Sequence, residues 1–352
     1  MDFSYADSNN STARNHPRST HVVWRTTRRG SAHPMPQYGF KLMTELHGPA
    51  ELLRQAKLAE EAGFAFVGIS DHIHPWLDSH GHSSFAWSVL GALAAGTERI
   101  GLATMVTCPF VRYHPAVVAQ MAATIGVMSN GRFALGVGAG ERLNEHVVGR
   151  GWPAADERHE MLRESIEAIK ALWTGGFQTY RGRHVTVEDA RIYDLPAEPI
   201  ELFCAAGGEE AARLAADVAD GLCATDPLPE LVEGFVAAGG NRSNTWAEAA
   251  MSWDDDEAKA RKVAHERLRF SAQGWKVMAE LPNPVNFEAA TEPVTEDDMA
   301  DAVPCGNDPQ RFAAAVRAYV DAGFEHVAVL PAGDDSEGFI GFWTDKVRPL
   351  LP

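Results

Sequence analysis

From Gln37 onward the chain alternates between short apolar runs and longer stretches whose apolar residues recur every three or four positions. The short runs predict eight strands: Tyr38 to Met43, Phe64 to Ile69, Ile100 to Val106, Phe133 to Val137, Ile200 to Cys204, Gly221 to Ala224, Ala247 to Trp253 and Phe324 to Leu330. The stretches between them read as helices. Gly48-Pro49 opens the first, Leu52, Ala56, Ala59 and Ala62 share one of its faces, and Gly63 stands where a helix end favours glycine. Trp87 to Ala95, Pro115 to Met128 and a long stretch carrying Met161, Ile166, Ile169 and Trp173 follow the same period, and a last helix runs into Pro349. Thr179 to Tyr193 predicts a β-hairpin turning at Arg181-Gly182. Residues 271–305 hold four prolines and no clear period, which predicts an irregular excursion over the surface or a cavity.

Eight strands joined by crossover segments predict an α/β fold, a closed (β/α)8 TIM barrel with insertions, rather than an open doubly wound sheet. An open sheet would carry a Gly-x-Gly-x-x-Gly turn after its first strand, and none stands there. A local echo supports the repeat: Glu60-Glu61-Ala62-Gly63-Phe64 resembles Val320-Asp321-Ala322-Gly323-Phe324, each a helix end, a glycine stop and an aromatic strand start.

Length fits this picture, since 352 residues accommodate one barrel of roughly 250 residues plus insertions. The barrel domain is expected over 35–352. Residues 1–34 are rich in Ser, Asn, Thr and Arg without an apolar period, and are expected to be a disordered arm or sequence upstream of a start at Met35. Arg28-Arg29 is followed by no apolar export segment. A net charge of −17 argues against nucleic acid, and no apolar run approaches the roughly 20 residues that span a bilayer. Cys108, Cys204, Cys223 and Cys305 are scattered, so neither a zinc site nor a disulfide framework is expected, and a reducing cytoplasm suits them.

Candidate chemistry gathers where strands end, because barrel loops at those ends form the mouth. The first strand offers Glu45 and the second Ser70-Asp71-His72-Ile73-His74-Pro75-Trp76. The third offers Val106, Thr107 and Cys108, the fourth Glu141 and Asn144, the fifth Ala205-Ala206-Gly207-Gly208, and the sixth Thr225 and Asp226. Taken alone, Asp71-His72 also reads as a capped turn with a satisfied histidine. His72 and His74 could mimic a metal pair, although no metal is expected. The glycine turn is either a simple tight turn or an anion site at a helix start.

As a set these motifs resemble the coenzyme F420-dependent branch of the luciferase-like superfamily. The carriers are Ser70-Asp71-His72-x-x-Pro75-Trp76, Thr104 to Pro109, Arg112-Tyr113-His114-Pro115-Ala116-Val117, Gly136 to Glu145 and Ala205-Ala206-Gly207-Gly208. The chain resembles F420-dependent glucose-6-phosphate dehydrogenases and related alcohol dehydrogenases among them, and the match runs from about Gln37 to the C-terminus. The resemblance implies a deazaflavin in the mouth, contacting Asp71, Met105, Val106, Cys108, Ala139 and Asn144. A non-proline cis bond at Met105-Val106 would back its ring, and Ala205, Ala206, Gly207 and Gly208 would hold its phosphate. It implies His72 as base for the substrate hydroxyl, Trp76 as the residue orienting the substrate, Glu141 as the acid beside the pyrimidine edge, and Glu45 as a further active-site residue.

That assignment fits alcohol oxidation, which needs an acceptor for the hydroxyl proton while hydride leaves the same carbon; an imidazole suits the first task. The expected substrate is a small alcohol or sugar, and pairing into a homodimer follows by analogy. Members acting on sugar phosphates carry Lys and Arg for the phosphate, whereas the loop Thr225 to Glu230 has no cation and Lys276 alone stands in the later excursion. A less charged alcohol is expected. The alternatives are an FMN-dependent monooxygenase of the same superfamily, a glucose-6-phosphate dehydrogenase proper, or a ligand-binding barrel without catalysis.

Overall fold

A computed structural model describes residues 35–352; the reading of 1–34 as an arm or upstream sequence lies outside the described residues. Eight parallel strands close into a barrel: β1 (Gln37–Leu42), β2 (Phe66–Ile69), β3 (Gly101–Thr104), β4 (Phe133–Val137), β5 (Glu201–Ala205), β6 (Gly221–Ala224), β7 (Thr245–Trp253) and β8 (His326–Pro331). Each pairs with its neighbours in order, and β8 returns to β1 through Gln37–His326 and the three pairs that follow. The expected (β/α)8 architecture is therefore observed. Strand starts differ by one to two residues, because Phe64, Ala65, Phe324 and Glu325 complete the preceding turns rather than the ladder.

Helices fill the crossovers, and their starts are written in the sequence. Pro49, Pro115 and Pro309 occupy first-turn positions where no N–H is needed, and Asp308 and Asp256 accept from helix N–H groups as caps. Gly63 and Gly323 both adopt left-handed φ values, 83° and 98°, so the sequence echo is a repeated helix stop. The hairpin forms as Gln178–Arg181 with Thr186–Ala190, and its turn is longer than expected, closing through Gly182 N–H to Val185 carbonyl.

Residues 271–305 depart from expectation. They are largely helical, in short pieces at Trp275–Met278, Pro284–Thr291 and Glu296–Ala302, and they follow a helix at Glu257–Leu268. No such piece is long enough to show a period, but each has local support: Asn283 caps Pro284–Thr291, and Thr295 with Asp298 forms a capping box. Met278, Phe287 and Met299 from this region, with Phe270 just before it, pack with Trp76, Leu77, Met43 and Leu143 as a second apolar cluster over the mouth. The excursion is a lid with its own core.

Inside the barrel, Phe66, Phe203, Trp246 and His326 stack as a plug, with Trp246 centroids 4.4 Å from Phe203 and 4.2 Å from His326. Interior layers of this kind fill a barrel solidly. Chemistry is left to the layer above the plug and to the loops.

Candidate active site

The loop after β2 is the centre. His72 is buried, and its ring lies 4.8 Å from that of Trp76, edge to face. Trp76 in turn stacks on Phe270 of the lid, 4.9 Å away and nearly parallel, and meets Phe287 edge-on at 5.2 Å. Two carboxyl groups bracket the imidazole. Glu45 Oε1 lies 3.2 Å from Nδ1, and Glu141 Oε1 lies 3.8 Å from Nε2. The four residues expected to act together are thus brought together by β1, β2 and β4.

Glu45 is fully buried. Burial alone would raise its carboxyl, but His72, the Ser70 hydroxyl and Lys41 together outweigh that and hold it below the ordinary range. The Ser70 hydroxyl donates to Oε2 at 2.6 Å. Glu45 is consequently an anion facing the histidine.

The expected cofactor residues divide. Val106, Ala139 and Ala205 stay half-exposed at adjoining strand tips. Gly138 lies so close to Val106 that a Cβ there would sit 2.8 Å from its Cγ2 and 3.4 Å from Ala205 Cβ. Met105 precedes them, and the Met105-Val106 peptide is cis, as expected. Ala206 is buried, Gly208 is half-exposed and Gly207 is exposed, just before the helix Glu209–Val218. A flat, small-residue floor beside a helix N-terminus fits a planar ring carrying a phosphate.

Asp71, Asn144 and Cys108 stand differently. Both Asp71 oxygens are taken by protein donors: Arg112 at 2.9 Å and Tyr113 at 3.0 Å on Oδ1, Thr107 at 2.8 Å and Trp87 at 3.1 Å on Oδ2. Four donors fill its acceptor capacity, so Asp71 anchors the loops around it. Asn144 is buried, its Oδ1 accepting from the N–H groups of Ile73 and His74 at 2.8 and 3.0 Å while Nδ2 donates to Glu141. It fastens the His72 loop to the acid. Cys108 packs in the core beneath Gly140, and burial pushes its thiol well up. His74 Nδ1 lies 3.0 Å from the Leu143 carbonyl, turned to structure and not to a shared ligand site with His72. Among the described residues no group of three or more His, Cys, Asp and Glu could hold a metal.

Sequence reasoning missed several members. Glu145 is buried, accepts from the Arg112 N–H at 2.8 Å and lies 3.6 Å from its Nε. Burial, opposed by Arg112 and reinforced by Glu141, pushes its carboxyl up to about 8. Lys41 and Glu248 pair inside the barrel. Phe270 and Phe287 come from the lid, and no local signal tied them to Trp76. Arg112 and Glu145 stood within the quoted motifs, yet only their contact reveals their use.

Comparison with known proteins shows the family. Residues 21–326 match the model of the luciferase-like monooxygenase family. The F420-dependent glucose-6-phosphate dehydrogenase of Microbacterium testaceum (strain StLB037) is 37% identical over 334 residues, covering 90% of this chain and 97% of that protein. Its namesake from Intrasporangium calvum (strain ATCC 23552) is 37% identical over 336 residues, covering 90% and 99%. Among solved structures, an F420-dependent secondary alcohol dehydrogenase in complex with an F420-acetone adduct superposes with TM-score 0.83 at 27% identity, covering 91% of this chain and 100% of that one. The F420-dependent tetrahydromethanopterin reductase of Methanopyrus kandleri shares the fold, with TM-score 0.69 at 23% identity over 91% and 100%. Barrel, motifs and family match coincide: the chain belongs to the luciferase-like monooxygenase family.

Proposed function

We propose that this protein is an F420-dependent dehydrogenase that removes hydride from the hydroxyl-bearing carbon of an uncharged alcohol. The observation that carries the reading is the convergence of Glu45, His72, Trp76 and Glu141 at the barrel mouth, beside a floor of Val106, Ala139 and Ala205. The names of the 37% identical relatives support the cofactor and the reaction class.

Coenzyme F420, when bound, supplies a deazaflavin ring that accepts hydride. Val106, Ala139 and Ala205 would carry the ring, and the Gly207–Gly208 backbone would meet its phosphate. His72 accepts the substrate proton at Nε2, keeping a proton on Nδ1 toward Glu45, whose charge stabilises the resulting imidazolium. Glu141, held by Asn144, would offer a carboxyl that can hold or release a proton toward the bound cofactor. Trp76, fixed by Phe270, walls the substrate against His72 and excludes water.

Charge supports an uncharged substrate over a sugar phosphate. Lys41 and Arg112, which contact residues of the site, are both committed, Lys41 to Glu248 and the Met105 carbonyl, Arg112 to Asp71 and Glu145. Glu45 and Asp71 set negative charge beside them, poor company for a phosphate dianion. A cytoplasmic homodimer belongs to the same reading. The four free buried cysteines fit a reducing compartment, and the mass in solution tests the pairing.

Anaerobic F420 reduction against secondary alcohols, sugars and glucose 6-phosphate tests the proposal. Alcohol turnover is expected. Preference for glucose 6-phosphate overturns the substrate class, and oxygen-consuming turnover with FMN alone overturns the dehydrogenase. His72→Ala should abolish turnover and leave F420 affinity nearly unchanged.

A further inference from the structure

Between the aromatic plug and the mouth lies a buried ion pair that the proposed chemistry does not use. Lys41 projects inward from β1 and is 4% exposed. Small residues flank it in the sheet. Gly68, its partner on β2, leaves space that Met105 partly fills, since a Cβ there would sit 2.3 Å from the Met105 sulfur. Ala328 on β8, level with Glu248, presents a single methyl between β1 and β7. The ammonium therefore reaches two strands that β1 does not pair with. It donates to the Met105 carbonyl past the end of β3, at 2.6 Å, and pairs with Glu248 on β7.

A buried ammonium requires compensation, and a single carboxylate would supply it. The second bond has a different consequence. The Met105 carbonyl belongs to the peptide that leads into Val106, and Val106 packs against Gly138 beside Ala205 in the floor of the mouth. The same ammonium is also one of the charges facing Glu45, the anion behind His72. One side chain thus touches the floor, the far wall and the field at the proposed base.

We infer that Lys41 is a positioning residue, which by tying the Met105 carbonyl to Glu248 across the barrel fixes the height of the Val106 floor under the cofactor. The inference rests on the reading of the mouth as a deazaflavin site. A neutralising role alone would be satisfied by any charge-balanced replacement of the pair; a positioning role would not.

The test compares the wild-type protein with Lys41→Met and with the double variant Lys41→Met/Glu248→Gln, in which no charge is left unpaired. Thermal midpoint, F420 dissociation constant from fluorescence quenching, and kcat and KM for an alcohol are measured on each. Lys41→Met is expected to lower the midpoint and weaken F420 binding at least tenfold. In the double variant the midpoint should largely recover, while F420 binding stays at least tenfold weak and kcat stays low. Should Lys41→Met not fold, the double variant decides alone. Recovery of F420 binding and kcat together with the midpoint would overturn the inference and leave Lys41 as a counter-ion for Glu248. Failure of the wild-type protein itself to bind F420 would overturn the functional reading and this inference with it.

Discussion

Glu45 Oε1 lies 3.2 Å from His72 Nδ1, on the side of the imidazole opposite Glu141. In the proposed function this assigns the nitrogens: an anion near Nδ1 favours the proton there and leaves Nε2 to accept another. Glu45→Gln keeps the shape and removes the charge. Turnover of the alcohol should fall by about 10²-fold, the lower range for a lost acid–base partner, while F420 affinity changes less than threefold. Equal loss in both would place Glu45 in cofactor binding instead. Acid stability should change too. A carboxyl held low in the folded state adds stability that is present above its ordinary value of 4.5 and lost as pH falls through the folded value. Glu45→Gln should therefore lose less stability than wild type on acidification below that point.

Asn144 is expected to matter as much to the loop as to the chemistry. Replacement by Ala leaves the N–H groups of Ile73 and His74 without their acceptor and frees Glu141 from its donor. An unsatisfied buried group costs about 1–3 kcal/mol, so Asn144→Ala should lose about 3 kcal/mol in chemical denaturation. Asn144→Asp restores the acceptor but sets a second charge beside Glu141. It should recover stability at low pH only.

Glu145 gives a stability signature of the opposite sign. Its folded carboxyl sits at about 8, raised chiefly by burial. A raised carboxyl favours the folded state while both states are protonated, and that advantage drains away as pH climbs from the unfolded value toward 8. Glu145→Gln has no proton to lose. Its thermal midpoint relative to wild type should rise steadily between pH 5 and pH 8; a difference independent of pH would refute the assignment.

Much of this was legible because barrels put function at strand ends. The strands and the helix stops at Gly63 and Gly323 follow from short-range patterns, the strand-end rule places Glu45, His72, Trp76 and Glu141 among the residues at the mouth, and the family resemblance singles these four out. What escaped was non-local. The lid helices are too brief for a period, and they owe their order to Phe270 and Phe287 meeting Trp76 across about 200 residues of chain. The four donors around Asp71, from Trp87, Thr107, Arg112 and Tyr113, are seen only in the structure. Lys41 sits inside an apolar run, and its use shows only once Glu248 is seen opposite.

The floor itself can be probed without touching a reactive group. A Cβ on Gly138 would lie 2.8 Å from Val106 Cγ2, closer than carbon atoms tolerate, so Gly138→Ala must displace Val106. Val106 is β-branched and its preceding carbonyl is held by Lys41, so it moves as part of the floor. F420 binding should weaken about tenfold, a loss of about 1.4 kcal/mol. Gly207 offers the contrasting case: no atom lies within 4 Å of a Cβ placed there, so Gly207→Ala should leave the thermal midpoint unchanged. Any weakening of F420 binding in that variant then reports a group docked against its backbone rather than a disturbed fold. Unchanged affinity in both variants would remove the cofactor from the Val106–Gly207 side of the mouth.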